Sequence, residues 1–123
     1  MNLRVLIAIC ATALAITIPA QAHEIAKGPH GGRTVEAGGY HVELVAANNV
    51  VDVFLTDSSD KPVAPVGFKG VAILVVGGSS ARVMLEPASD GRLTGSAPGI
   101  SADVKGVIQI TAPGGKTAQA RFN

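Results

Sequence analysis

From Arg33 onward, apolar residues alternate with polar ones or come in short β-branched bursts, and Gly, Asn, Asp, Ser and Pro interrupt them at intervals of about ten residues. No long stretch carries a 3.6-residue period. The pattern predicts eight strands, over residues 33–37, 40–46, 50–56, 67–76, 81–86, 92–96, 104–111 and 117–122. Strands at this spacing imply an antiparallel β-sandwich, immunoglobulin-like or related. Gly38-Gly39, Asn48-Asn49, Gly77-Gly78 and Gly114-Gly115 supply the positive φ angles that tight hairpins require. Residues 57–62 and 86–91 read as longer polar loops. The sandwich domain is expected to span residues 33–123, behind a flexible His- and Gly-rich segment at 23–32.

The first residues follow a different rule. Arg4 precedes an almost unbroken apolar run over residues 5–16, and Ala20-Gln21-Ala22 has the small-x-small form of a cleavage site. Residues 1–22 therefore read as a secretory signal peptide, His23 as the mature N-terminus and the periplasm as the destination. A membrane helix needs about 20 apolar residues, and this run is shorter and ends at Pro19. Cys10, the single cysteine, lies in the leader and is expected to leave with it. A mature chain without thiols forms no disulfide, zinc-thiolate or cysteine-ligated copper centre.

Loss of the leader also removes Arg4, leaving nine Lys and Arg against nine Asp and Glu. Nothing in this balance points to nucleic acid, and no basic stripe along the chain suggests a lipid surface. With one Tyr, three Phe and no Trp, the core must be built from Val, Ile, Leu and Ala. The glycine-rich run at 28–33 lacks the Lys-Ser/Thr of a phosphate loop and precedes a strand, which argues against nucleotide binding. The serines lie in turns, without a Ser-His-acid context, so no hydrolase is expected. Asp57 and Asp60 read as turn formers, because no calcium-loop spacing surrounds them. Met84, within Val-Met-Leu, reads as core filler rather than as a soft Cu(I) ligand.

All three histidines, His23, His30 and His41, lie within residues 23–43, with Glu24, Glu36 and Glu43. Neutral imidazole is the commonest metal ligand a protein offers. A two-residue turn at Gly38-Gly39 sets Glu36 opposite His41 and Thr34 opposite Glu43. Val35, Tyr40, Val42 and Leu44 then share the core face, and Glu36, His41 and Glu43 share the other. Opposed Cβ atoms lie about 4.5–5.5 Å apart, so one imidazole and two carboxylates can converge. Gly31-Gly32 gives the N-terminal segment freedom to fold back and bring His30 to the hairpin. After cleavage, the His23 α-amine and Nδ1 can chelate one ion, an arrangement that suits Cu(II). The plainer reading is a surface hairpin whose Glu36 and His41 form an ordinary cross-strand pair.

Residues 28–44, Gly-Pro-His-Gly-Gly-Arg-Thr-Val-Glu-Ala-Gly-Gly-Tyr-His-Val-Glu-Leu, resemble a known pattern. They are similar to small secreted bacterial His-Gly-Gly proteins and to the N-terminal extension of periplasmic adaptor subunits of cobalt-zinc-cadmium type efflux pumps. Phe54-Leu55-Thr56-Asp57, Asp60-Lys61-Pro62-Val63, Leu93-Thr94-Gly95 and Ala120-Arg121-Phe122 also fit that layout. The resemblance implies a small β-sandwich that handles heavy-metal cations through His30, and through His41 and Glu43. His23 is not part of the shared pattern, and the chain lacks the helical hairpin and lipoyl-like parts of an adaptor.

The sequence thus leads to a non-enzymatic periplasmic protein that binds copper or zinc through a subset of His23, His30, Glu36, His41 and Glu43. Its expected role is to buffer or carry the ion, or to serve a metal-efflux component. The rival reading is a metal-free protein-interaction sandwich. An oxidative copper enzyme built on an N-terminal histidine is a third, weaker class, for want of an aromatic substrate face.

Overall fold

A computed structural model describes residues 25–123. Nine antiparallel strands form one continuous sheet: β1 (Ala26–Lys27), β2 (Arg33–Ala37), β3 (Tyr40–Ala47), β4 (Val50–Thr56), β5 (Lys69–Val76), β6 (Ser79–Ala88), β7 (Arg92–Ser96), β8 (Lys105–Thr111) and β9 (Thr117–Phe122). Their order across the sheet is β1-β2-β3-β4-β7-β6-β5-β8-β9. The sheet curls into a half-barrel, so the all-β, sandwich-like fold is as expected, with its two layers joined rather than separate. Among the described residues, no helix is long and apolar enough to cross a membrane.

Strict alternation makes one face of each strand apolar, and curling turns that face inward. Val51, Val53 and Leu55 of β4 meet Ala72 and Leu74 of β5, Val83 and Leu85 of β6, Leu93 of β7, and Ile108 and Ile110 of β8 in one buried cluster. Phe122 is the largest fully buried side chain. The two ends of the sheet come together where Arg33 of β2 lies 5.7 Å over the Phe122 ring of β9 and donates from Nη2 to the Val104 carbonyl.

The glycine and asparagine pairs turn as expected, with φ of 59° and 86° at Gly38-Gly39 and 50° and 69° at Asn48-Asn49. Strand limits differ from the sequence reading by one residue at the end of β3 and the start of β8, and by more at β1, β5 and β6, which also starts two residues early at Ser79. β5 starts at Lys69 because residues 65–68 form a turn closed by Phe68 N–H on the Pro65 carbonyl. The segment at 86–91, read as a loop, begins as strand. β6 pairs with β5 as far as Leu85, then turns to β7 and pairs Pro87 with Leu93. Proline is tolerated there because the strand has already left β5 and owes it no N–H. β1, only two residues long, was not anticipated.

Met84 corrects the reading of it as core filler. It is 60% exposed, because Val83 and Leu85 take the inward positions of β6 and send it outward.

Candidate functional site

The hairpin register is the one the turn dictates: Glu36 faces His41, Val35 faces Val42 and Thr34 faces Glu43. Val35, Val42 and Leu44 are buried, and Tyr40 packs edge-on to Phe68 with ring centroids 5.7 Å apart. Glu36, His41 and Glu43 share the outer face, yet they do not converge on one point. Glu43 pairs with His30, and His41 pairs with Glu36.

The first pair depends on the segment ahead of the hairpin. β1 lies along β2, and Gly28-Pro29-His30-Gly31 turns back over the outer face of β3, with Gly31 N–H on the Gly28 carbonyl at 3.0 Å and Gly28 N–H on the Gly32 carbonyl at 2.8 Å. The described part of the segment read as flexible is thus fastened to the sheet. The turn can lie this close because two of its residues lack side chains. A Cβ at Gly28 would stand 2.3 Å from Glu43 Cδ, and one at Gly32 would stand 2.3 Å from the Leu44 carbonyl oxygen.

Covered by this turn, Glu43 is only 3% exposed although it points away from the core. A buried carboxylate needs its oxygens satisfied. Oε2 accepts the backbone N–H groups of His30 and Gly32, each at 2.9 Å, and Oε1 accepts His30 Nδ1–H at 2.7 Å. The His30 ring also stacks on Phe54 of β4, with centroids 3.6 Å apart and planes 10° from parallel. One nitrogen is therefore committed to Glu43, while Nε2 has no hydrogen-bond partner among the described residues and the side chain remains 47% exposed.

The second pair is open to solvent. His41 Nε2 lies 2.9 Å from Glu36 Oε1 and Nδ1 lies 3.0 Å from Asp60 Oδ1, both carboxylates being largely exposed. An imidazole between two carboxylates serves both only by carrying a proton on each nitrogen. The hydrogen bond to Glu36 leads in holding the His41 pKa above its ordinary value; burial opposes it, and Asp60 adds to the rise. The two nitrogens point away from each other, so a single ion cannot replace both protons. This pair borders an open hollow of about 630 Å³ between β1, β2 and the loop after β4.

Among the described residues, no group of three or more His, Asp or Glu side chains is arranged to hold a metal ion. The convergence of one imidazole and two carboxylates expected at Glu36, His41 and Glu43 is replaced by two separate pairs, since Glu43 is drawn under the turn. His23 lies outside the described residues. The sequence reading missed Asp60 as a partner of His41 and Phe54 as the platform for His30. The signal for Asp60 was present: the Asn48-Asn49 turn sets Thr56 opposite His41, and Asp60 follows in the loop leaving that end of β4. Thr34 Oγ1, beneath the turn, is buried without a hydrogen-bond partner in the described structure.

Fold and site together define a small all-β protein whose outer sheet face presents two histidine–carboxylate pairs of opposite character. No protein-family model, curated protein or solved structure matches the chain.

Proposed function

We propose that the protein is a periplasmic copper- or zinc-binding protein, acting as a buffer or carrier for the ion or as an accessory to its efflux, with His30 Nε2 as the anchoring ligand. The observation that carries this reading is the single-sided commitment of His30. Metal-ligating histidines almost always donate their other ring N–H to a carboxylate or carbonyl, which fixes the tautomer and turns a lone pair outward. Glu43 does this for His30, so its role here is to orient the imidazole and not to ligate.

One imidazole is not a site. The further donors are assigned to His23, whose ring and freed α-amine stand seven residues upstream in the processed chain. Nitrogen donors of this kind suit Cu(II) above Zn(II) in the usual order of divalent affinities. An open, partly protein-ligated site exchanges its ion readily, as a carrier requires. His41 and Glu36 stand aside as the weaker candidates, since a metal at His41 must displace a proton held by two carboxylates.

The test is a calorimetric titration of the chain beginning at His23 with Cu(II) and Zn(II), repeated with one residue added before His23 and with His30→Ala. Binding that weakens at least tenfold in both altered chains supports a site shared by His23 and His30. Binding unaffected by His30→Ala, or none tighter than about 10⁻⁴ M, overturns the reading.

A further inference from the structure

The outward positions of β6, β5, β8 and β9 form the opposite side of the molecule from the histidine pairs. Register places Arg82, Ile73, Val107 and Arg121 in one row across the four strands, and Met84, Val71, Gln109 and Gln119 in the next. Val75 and Lys105 face one another beyond the first row, and Lys69 lies past the second. Ile73, Val75 and Met84 are exposed hydrophobics. Lys69, Arg82, Lys105 and Arg121 are exposed around them, and none forms an ion pair with a described residue. Glu86 is the one acid among these outward positions.

We propose that this face docks the protein reversibly on an anionic phospholipid surface. Apolar side chains ringed by unpaired cations are the two elements that bind a protein to the plane of a charged bilayer. Over the ends of β5, β6 and β8 the face also opens into a hollow of about 750 Å³ with Phe68, Gly70, Met84 and Leu85 around it, Lys69 and Arg82 beside them, and Glu86 at its border. An apolar trough with two cations against one acid suits an amphiphile with an anionic head.

Two copies placed face to face would oppose four cations with four, which argues against a symmetric dimer through this surface. A protein partner would need acids matched in position to all four cations, whereas fluid headgroups adjust to any spacing. Glu36, Asp57 and Asp60, with the one cation Lys61 among them, lie on the far side, away from an anionic bilayer, and the His30 ring faces the aqueous phase.

The experiment is co-sedimentation of the chain beginning at His23, which contains all nine strands, with vesicles of phosphatidylcholine alone or with about one-third phosphatidylglycerol. Binding is expected only to the anionic vesicles, and added salt should weaken it. Each of R82E and R121E should lower the affinity about fivefold or more, and M84S should lower it less. K61E, on the opposite side, should leave it unchanged. Unaltered urea midpoints in these surface variants will show that the fold is retained. Failure to bind anionic vesicles at low salt, equal binding by R82E, R121E and the parent chain, or retention of an acidic peptide such as polyglutamate without vesicle binding would each overturn the proposal, the last assigning the face to a protein.

Discussion

His30 and His41 lie on the same outer sheet surface, each within hydrogen-bond distance of a carboxylate, yet the two arrangements have opposite chemistry. At His30 the carboxylate is buried and accepts a hydrogen bond from one ring nitrogen, leaving the second nitrogen without a partner among the described residues. At His41 two exposed carboxylates each accept a hydrogen bond from one ring nitrogen, an arrangement that favours the protonated ring. The difference lies in what covers the acid. Glu43 lies under a chain turn that brings its own N–H groups, while Glu36 and Asp60 stand in solvent on either side of the ring. Proximity of histidine and carboxylate therefore does not by itself define a metal ligand; the number of committed nitrogens does.

The strongest way to break this contrast is to remove the buried acid. Glu43→Ala leaves the His30 and Gly32 N–H groups without their acceptor, and an orphaned buried polar group destabilises by about 1–3 kcal/mol. For a domain near 100 residues, each 1 kcal/mol lowers Tm by roughly 4–8 °C. Thermal unfolding followed by circular dichroism should show that drop, and a smaller one for Glu43→Gln, which keeps a carbonyl acceptor.

Next in size is Gly28→Ala. The added Cβ would meet Glu43 Cδ at 2.3 Å and Thr34 Oγ1 at 2.5 Å, so the turn must lift. Overpacking of this kind destabilises by about 1–3 kcal/mol. The diagnostic signature is a changed His30 ring resonance in NMR while that of His41 stays fixed.

The exposed pair responds to pH instead. Because folding raises the His41 pKa above 6.5, its contribution to stability is fully present below about pH 6.5 and is lost as pH rises through the folded value. Solvent screening keeps exposed pairs to about 0.2–1 kcal/mol. Urea midpoints at pH 5.5 and 8.5 should therefore fall further for the parent chain than for His41→Ala.

The smallest effect is expected at Thr34→Val. It removes a buried hydroxyl that makes no hydrogen bond and keeps its shape, relieving an unpaired buried group, so stability should rise, by no more than about 1 kcal/mol. A large loss in urea unfolding would mean that the hydroxyl has a partner.

What the sequence made legible was governed by short-range rules. A two-residue Gly38-Gly39 turn allows one register, so the Glu36–His41 and Thr34–Glu43 oppositions could be read directly. The fate of Glu43 could not, because its partner segment, residues 28–32, lies outside the hairpin and is placed by a carboxylate that only the fold buries. Met84 was misread through its apolar neighbours, although the alternation of Arg82, Met84 and Glu86 with Val83 and Leu85 already set it outward. Pro87 suggested a loop because a proline disrupts a central strand, whereas β6 carries it at the point where it changes partners. The cationic face was invisible for another reason. Lys69, Arg82, Lys105 and Arg121 are scattered along the sequence and meet only when four strands align.

The continuity of the sheet matters for the chain before it has folded. A single sheet has only two edges, and long unpaired edges are where strands of other molecules add to form aggregates. Here one edge ends in β1, a strand of two residues, and the other, β9, leans on β2 through Phe122 and Arg33. The turn that holds His30 is the direct continuation of β1, so the segment that carries the candidate ligand also shortens the edge. Loss of its Glu43 anchor should therefore make the protein prone to self-association as well as weaken the metal binding proposed at His30.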